Sequence, residues 1–203
     1  MSLIYNGVVL ACAAKVVNWQ DSKLGFAPGS CGARKRTEKI TQWVWHWTAG
    51  EGNASGCHRV LTGRGLSVHF FLGIDGVIYQ YADPALVVCA HAGSPTNGRS
   101  IGIEQQNVGH GKPNPNIPRV RLPETIHGVE RPTSQFTAAQ MVAARALRVA
   151  LSHVIPIRTM PDADTISRKR RDAWTGDLAH YQISDAKRDP GVRFMQAVAT
   201  WRP

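Results

Sequence analysis

Two well-separated segments carry the side chains best suited to chemistry. One holds His46, at the end of an aromatic run, and the other holds His180, Lys187 and Asp189. Two imidazoles and one carboxylate, with a fourth coordination position left for water, would form a catalytic zinc site. A lone histidine is more often a hydrogen-bonded core residue, however, and the Asp-Pro-Gly stretch at 189–191 also suits a turn or the start of a helix. The spacing alone leaves both interpretations open.

Short β-prone segments would have to position these side chains. Residues 40–48 are rich in Trp, Val and Thr and lead into a glycine-containing loop, which predicts a buried strand with His46 at its carboxyl end. Residues 67–72 and 77–81 are also β-like and flank Asp75-Gly76, a dipeptide that favours a tight hairpin. We therefore expect two adjacent antiparallel strands here.

A further strand is predicted at residues 100–106. Side-chain alternation there places Ile101 and Ile103 on one face and Glu104 on the other, so Glu104 should point away from the apolar layer. Residues 107–132 follow, rich in proline and without clear periodicity. Such a length of irregular chain is usually a functional surface loop.

Two helices are predicted in the second half of the chain. Thr137 and Gln140 have the spacing of a capping box, and a helix should follow to about His153. Residues 191–201 suit a short amphipathic helix. The first helix should be largely buried against a sheet, and its narrow polar stripe is expected to comprise Arg145, Arg148 and Ser152.

Five segments occur in the order found in one protein family. The sequence resembles the zinc-dependent N-acetylmuramoyl-L-alanine amidases, the type 2 amidase family related to peptidoglycan recognition proteins and phage lysozyme-like amidases. The resemblance covers roughly residues 40–195. It implies an α/β (mixed α+β) fold with a central mixed β-sheet, flanking helices and a zinc cleft on one side. The matching segments are 44–50 (Val-Trp-His-Trp-Thr-Ala-Gly), 67–70 (Ser-Val-His-Phe), 91–93 (His-Ala-Gly), 100–104 (Ser-Ile-Gly-Ile-Glu) and 180–191.

The resemblance also implies roles for individual residues. His46, His180 and Asp189 match the zinc ligands. Glu104 matches the acidic residue that activates water, and Lys187 matches the cation held near the reacting carbonyl. Zinc would make a nucleophile available at neutral pH, and a carboxylate such as Glu104 could move the proton as general base and then general acid. Positive charge from Lys187 would stabilise the oxyanion.

Four further residues are candidates for substrate binding. Trp47 follows the first ligand, and His91 and Asn97 lie in the segment that resembles a substrate-proximal loop. His69 is the fourth, although its position between Val68 and Phe70 in a strand also suits a structural role. His91 has an equally simple alternative as an ordinary loop histidine.

The four cysteines are too few for a dense disulfide framework in a chain of this length. Cys57 and Cys89, each close to a histidine, lack the usual spacing of a Cys2His2 zinc site. They could pair with each other or remain free buried thiols. This cysteine usage is compatible with a reducing compartment.

Length and charge set the remaining expectations. The 203 residues suit a single domain over 1–203, with residues 1–39 as an extended lead-in packed on the core. No apolar run reaches the roughly 18 residues of a membrane-spanning helix, and no signal peptide is expected. The net charge is +10, from 24 Lys and Arg against 14 Asp and Glu.

This basic balance could serve nucleic-acid binding, but no recognised motif supports it. We expect instead a monomer that acts on peptidoglycan and is attracted to anionic envelope surfaces. The resemblance, the charge and the N-terminal extension favour an enzyme of the phage or prophage endolysin type, made in the cytoplasm and released to the cell wall. The alternatives are a cytoplasmic anhydro-muropeptide amidase of wall recycling and a non-catalytic peptidoglycan-binding module.

Overall fold

The structure is a computed structural model that describes residues 2–155, 158 and 166–201. In chain order its strands are β1 (Leu3–Tyr5), β2 (Val8–Leu10), β3 (Val16–Asn18), β4 (Arg34–Lys35), β5 (Gln42–Trp47), β6 (Phe70–Leu72), β7 (Ile78–Gln80), β8 (Val87–Val88), β9 (Ser100–Gln105), β10 (Arg121–Ile126), β11 (Val129–Ser134) and β12 (Gly176–Ala179). Its helices are α1 (Trp19–Ser22), α2 (Ala54–Gly63), α3 (Thr96–Arg99), α4 (Ala138–Ser152), α5 (Arg168–Ala173), α6 (His180–Ile183) and α7 (Val192–Thr200).

A mixed six-stranded sheet forms the centre of the fold, in the order β12-β5-β9-β6-β7-β3. The four strands from β12 to β6 are mutually parallel, so their carboxyl ends meet at one edge. The strand predictions for residues 40–48 and 100–106 are confirmed by β5 and β9. The predicted hairpin is confirmed by the antiparallel pair β6 and β7, whose connection contains Gly76 at a φ of 80°.

The sheet is covered on both faces. On one face, α4 and α7 pack against Trp45, whose ring centroid lies 5.2 Å from that of Phe194. On the other face, Phe71 belongs to a second apolar cluster with Cys57 and Leu61 of α2. Both predicted helices are confirmed by α4, which carries the expected Thr137 and Gln140 capping box, and by α7. The mixed α+β architecture with a central sheet and flanking helices is therefore confirmed.

Arg148 corrects the prediction of a solvated polar stripe on α4. It is only 2% exposed and its Nη2 atom lies 2.8 Å from Oδ2 of Asp177 in β12. Trp45 Nε1 donates a hydrogen bond to the other oxygen of Asp177, at 2.9 Å. A buried arginine is compatible with this position because a carboxylate and a carbonyl, that of Trp201, accept its protons.

The prediction of an irregular loop over residues 107–132 is wrong for its second half, which forms the antiparallel ribbon of β10 and β11. A two-residue turn joins the strands, with both His127 and Gly128 at positive φ. This turn geometry suits the twist of a hairpin, but histidine is a weaker signal for it than the usual Asn or Asp. The prolines Pro123 and Pro132 are tolerated because they lie in a two-stranded ribbon, where each strand has an unpaired edge.

One strand of the N-terminal segment, β3, joins the central sheet, whereas β4 belongs to a separate two-stranded sheet. Strand β3 pairs in parallel with β7 at the sheet edge, and β4 pairs with β8. The side chain of Gln80 exchanges two hydrogen bonds with the backbone of Ile4. Among the described residues, no helix is both long and apolar enough to cross a membrane.

Candidate active site

Three parallel strands bring the candidate side chains to the same sheet edge. His46 in β5 is the direct register partner of Glu104 in β9, so the two side chains leave the sheet on the same face. Ala179, the last residue of β12, pairs with Trp45, and His180 follows it as the first residue of α6. The carboxyl edge of a parallel sheet is the usual location of α/β ligand sites.

Asp189 reaches the site from the connection between α6 and α7. Its carbonyl oxygen accepts a hydrogen bond from the amide of Tyr181, at 3.1 Å. Glu124 in β10 holds the next residues, because its carboxylate accepts hydrogen bonds from the amides of Val192 and Arg193. Gly191 has a φ of 96°, and a Cβ there would lie 2.6 Å from Glu124 Oε2. The Asp-Pro-Gly stretch is thus a turn before α7, and Asp189 does not cap that helix.

The two histidines and Asp189 converge on one point. His46 Nδ1 lies 2.9 Å from His180 Nδ1 and 3.0 Å from Asp189 Oδ2, and His180 Nδ1 lies 2.9 Å from the same oxygen. All three residues are buried. Hydrogen bonds cannot satisfy all three contacts, because two nitrogens that both donate to the carboxylate leave their own contact unpaired. A cation coordinated by the two nitrogen atoms and the oxygen atom would satisfy all three groups at once, so this ligand set fits zinc.

The electrostatics of the cluster favour ligation. Burial, together with the nearby His180, lowers the pKa of His46 to about 4, so its imidazole is neutral at physiological pH. Burial alone would raise the pKa of Asp189, but hydrogen bonds and attraction from the two histidines outweigh it and lower that pKa. His46 as a neutral imidazole and Asp189 as an ionised carboxylate are in the protonation states that metal binding requires.

The Glu104 carboxylate has an oxygen atom that the surrounding structure does not use for hydrogen bonding. Its Oε2 atom is buried and has no hydrogen-bond partner among the described residues. Burial raises the pKa of Glu104 well above its ordinary value, the negative charge of Asp189 adds to this, and the charges of Lys187 and Arg64 oppose it. A carboxylate with a raised pKa beside a metal cluster is well suited to accept and return a proton.

A cavity of about 400 Å³ opens onto the cluster. His46, His180, Asp189 and Glu104 all line it, together with Lys187, which is exposed at the rim. The five residues predicted to carry metal binding and catalysis are therefore brought together in one cavity. The first part of the 107–132 segment also contributes to the wall, through Val108, His110 and Gly111.

The predicted substrate-binding residues divide into two pairs. Trp47 and His91 line the cavity, and Trp47 packs edge-on against His110 with ring centroids 5.0 Å apart. His69 does not line it, since it is fully buried between Val87, whose carbonyl accepts from Nε2, and the amide of Gly102, which donates to Nδ1. The geometry therefore supports a structural role for His69, the alternative to substrate binding.

Asn97 is not among the residues that line this cavity. Its Oδ1 atom accepts hydrogen bonds from the amides of His91, at 3.1 Å, and Ala92, at 2.7 Å. Asn97 thus shapes the loop that carries His91. Direct contact of Asn97 with substrate stays a prediction.

Sequence reasoning missed two cations at the cavity. Arg64, at the end of α2, and Arg188, next to the third candidate ligand, both line the wall. Arg188 lies in a segment that had been singled out, but Arg64 has no motif around it, and only the packing of α2 beside β6 places it near Glu104.

The cysteines do not form a metal site among the described residues. All four are free thiols, and the cluster of possible ligands that the structure gathers is the one of His46, His180 and Asp189. Cys57 and Cys89 are buried, and burial raises the pKa of Cys89 to about 12. Of the alternatives, free buried thiols are what the structure shows.

Comparison with solved structures identifies proteins of the same fold. An endolysin N-acetylmuramoyl-L-alanine amidase, LysCS from Clostridium intestinale URNW, aligns at a TM-score of 0.56 with 17% identity, over 93% of this chain and 97% of that one. The Drosophila peptidoglycan recognition protein PGRP-SA gives 0.54 with 15% identity, over 93% and 92%. The amidase AmiD from E. coli, in complex with anhydro-N-acetylmuramic acid-L-Ala-D-gamma-Glu-L-Lys, gives 0.51 with 21% identity, over 78% and 57%.

A search of curated protein sequences finds no match to this chain. A family model does match it, however, over residues 36–192, which span all five residues predicted to carry metal binding and catalysis. The model is that of the N-acetylmuramoyl-L-alanine amidases. With this match across most of its length, the chain belongs to the N-acetylmuramoyl-L-alanine amidase family.

Proposed function

We propose that this protein is a zinc-dependent hydrolase of the amide bond between N-acetylmuramic acid and L-alanine in peptidoglycan. The observation that carries the proposal is the convergence of His46, His180 and Asp189 within about 3 Å contacts, beside a buried and unpartnered carboxylate oxygen of Glu104. Family membership indicates which bond is the substrate, and the site residues have the chemical properties that hydrolysis of this bond requires.

Zinc would be held by His46 Nδ1, His180 Nδ1 and one oxygen of Asp189. When bound, zinc polarises an amide carbonyl and lowers the pKa of water, so that a nucleophile is available at neutral pH. With two neutral imidazoles and one carboxylate as ligands, a Zn²⁺ ion leaves the site with a net charge of about +1, which attracts the oxygen of the substrate carbonyl.

Glu104 performs the proton transfers. Its carboxylate takes a proton from the attacking water as general base and delivers that proton to the departing L-alanine nitrogen as general acid. The raised pKa of Glu104 suits both steps, because the group accepts a proton readily and still releases it to a more basic amine. Lys187 at the cavity rim supplies positive charge for the carbonyl oxygen as it becomes negative.

We further propose that the protein acts as an endolysin on the intact cell wall after release from the cytoplasm. The net charge of +10 supports this, since a basic surface is attracted to anionic wall polymers and envelope lipids. The fold shared with the endolysin LysCS is consistent with the same role. An enzyme of wall recycling would instead prefer small soluble muropeptides, and a non-catalytic module would bind without turnover.

The test is mass spectrometry of the soluble products released from purified peptidoglycan, with and without a zinc chelator. We expect free stem peptides that begin at L-alanine, and we expect chelation to abolish them. Glycan-linked peptides in both samples, from folded protein that contains zinc, would overturn the proposal. A parallel assay with soluble anhydro-muropeptides separates the two enzymatic roles, because an endolysin should act faster on intact sacculi than on the fragments.

A further inference from the structure

A third histidine touches the candidate metal cluster from behind. His91 Nδ1 lies 3.0 Å from His46 Nε2, the ring nitrogen that faces away from His180 and Asp189. The two rings are almost perpendicular, with an interplanar angle of 87° and centroids 5.2 Å apart. His91 therefore meets the edge of the His46 ring, where an N–H group can donate to it.

The contacts beyond His91 give this chain of hydrogen bonds a direction. A His46 ring that ligates through Nδ1 carries its proton on Nε2, which donates to His91 Nδ1. His91 is then protonated on Nε2, and this nitrogen lies 3.1 Å from Ser100 Oγ, which can accept. The Nε2–H tautomer of both histidines therefore gives a donor and an acceptor to each of these two contacts, from His46 to His91 and from His91 to Ser100.

Three neighbouring residues hold the His91 ring in this position. Asn97 Oδ1 binds the amides of His91 and Ala92 and so fixes the start of their loop. Gly102 in β9 provides the space, since a Cβ at that residue would lie 2.6 Å from His91 Cγ. Ser100, at the beginning of the same strand, is fully buried and anchors the far side of the ring.

We infer that His91 is a positioning residue that fixes His46 in the Nε2–H tautomer and in the orientation that binds zinc, with Ser100, Asn97 and Gly102 as its supports. This inference rests on the proposed zinc site. Partners behind a ligating imidazole typically contribute 10- to 100-fold to metal affinity, because they set the tautomer and the ring orientation before the metal arrives. His91 also lines the cavity, but its Nδ1 and Nε2 atoms are both engaged within the protein.

The experiment measures zinc affinity in the full chain by competition with a chromophoric chelator. We expect His91→Ala to weaken zinc binding about 10- to 100-fold. His91→Asn should retain most of the affinity, because the amide oxygen can replace Nδ1 as acceptor. Gly102→Ala, which leaves every histidine in the sequence, should weaken binding by displacing the His91 ring. His153→Ala, an exposed histidine at the end of α4, is the matched control and should change nothing.

A second measurement reads the tautomer directly. In long-range nitrogen–proton NMR spectra of the zinc-loaded wild type, His46 should be protonated on Nε2 and His91 should show the same tautomer. Protonation of His46 on Nδ1, or unchanged zinc affinity in folded His91→Ala and Gly102→Ala, would overturn the inference while leaving the amidase proposal intact. A wild-type protein that takes up no zinc would overturn both. Thermal unfolding of each variant shows whether a lost affinity reflects a lost fold.

Discussion

His46 and Glu104 are direct register partners on the adjacent parallel strands β5 and β9. This pairing places a candidate metal ligand and a candidate proton acceptor side by side on one face of the sheet. Two rigid strands hold them, so their separation does not depend on a loop. Sites built on regular elements are positioned more precisely than sites built on loops.

Glu104→Gln should separate metal binding from proton transfer. The amide has nearly the shape of the carboxylate but cannot take a proton, so we expect turnover to fall by about 10²- to 10⁴-fold. Zinc content should stay at the wild-type level, because Glu104 is outside the ligand set. Rates on peptidoglycan and metal analysis of the same preparation give both values. Glu130→Gln, on the exposed part of β11, serves as control, and normal turnover in Glu104→Gln would place the general base elsewhere.

Removal of a ligand should abolish the stabilisation by zinc. A metal that binds only the native state stabilises it by mass action, by about 2.7 kcal/mol at a free concentration 100 times Kd. The melting temperature of the wild type should therefore rise with added zinc, and His46→Ala, His180→Ala and Asp189→Ala should show no such rise. Differential scanning calorimetry with and without zinc makes the comparison. A full shift in any of the three variants would exclude that residue as a ligand.

Lys187→Met should lower the rate without lowering zinc content. The side chain keeps much of its length and loses the charge that would stabilise the oxyanion, a loss worth about 10²- to 10³-fold in kcat when a single such donor is removed. Steady-state kinetics and metal analysis of the variant are the measurements. Lys169→Met, on the exposed face of α5, controls for a general change in surface charge. Equal rates in the two variants would remove Lys187 from the mechanism.

Arg148→Met should unfold the protein at much lower denaturant. The change leaves the fully buried Asp177 carboxylate without its ion-pair partner, and breaking such a pair from one side costs about 3 to 5 kcal/mol. Urea unfolding followed by tryptophan fluorescence measures the loss. Arg145→Met on the same helix is the matched control, because Arg145 is exposed and its replacement should cost less than about 0.5 kcal/mol.

His69 should make the fold sensitive to acid. Burial, reinforced by the charge of Arg36, lowers the pKa of His69 to about 3, whereas an unfolded chain protonates its histidines near pH 6.5. Below pH 6.5 the unfolded state therefore binds a proton at His69, whereas the native state does not bind it until the pH approaches 3. The contribution of the neutral His69 side chain to the free energy of unfolding is fully present above pH 6.5. It is lost at about 1.4 kcal/mol per pH unit as the pH falls towards 3.

Urea unfolding of wild type and His69→Gln at pH 7, 6, 5 and 4 measures this contribution. The wild type should lose stability more steeply, by a difference in slope equivalent to one proton. His153→Gln, at an exposed position, is the matched control for the loss of a histidine. Parallel curves for wild type and His69→Gln would show that His69 is not a source of the acid sensitivity.

Much of the site could be predicted because its parts have local signatures. The aromatic strand β5, the alternation of Ile101, Ile103 and Glu104, and the capping box of α4 each depend on residues close together in the chain. Local patterns of this kind determine which residues share a strand face or begin a helix. Hence His46 at the end of a strand and Glu104 opposite the apolar layer were already expected from sequence.

The errors arise where long-range packing overrides a local pattern. Arg148 occupies a polar position of an amphipathic helix, yet Asp177, 29 residues away, draws it into the core. The ribbon of β10 and β11 has prolines and a His-Gly turn, so no local signal identified it. Likewise, no local pattern indicated that His91 contacts His46 or that Asn97 accepts a hydrogen bond from the amide of His91.

The sequence by itself determined the types and order of the reactive groups, the strands that carry them and the family to which the chain belongs. Only the tertiary structure decided that His46, His180 and Asp189 meet at one point. It also decided that Glu104 retains a buried oxygen without a hydrogen-bond partner among the described residues, and that His91 lies within hydrogen-bond distance of His46. The physical reason is that these relationships join residues up to 143 positions apart. Their distances follow from parallel strand register and from the packing of separate elements, which no local pattern of residues specifies.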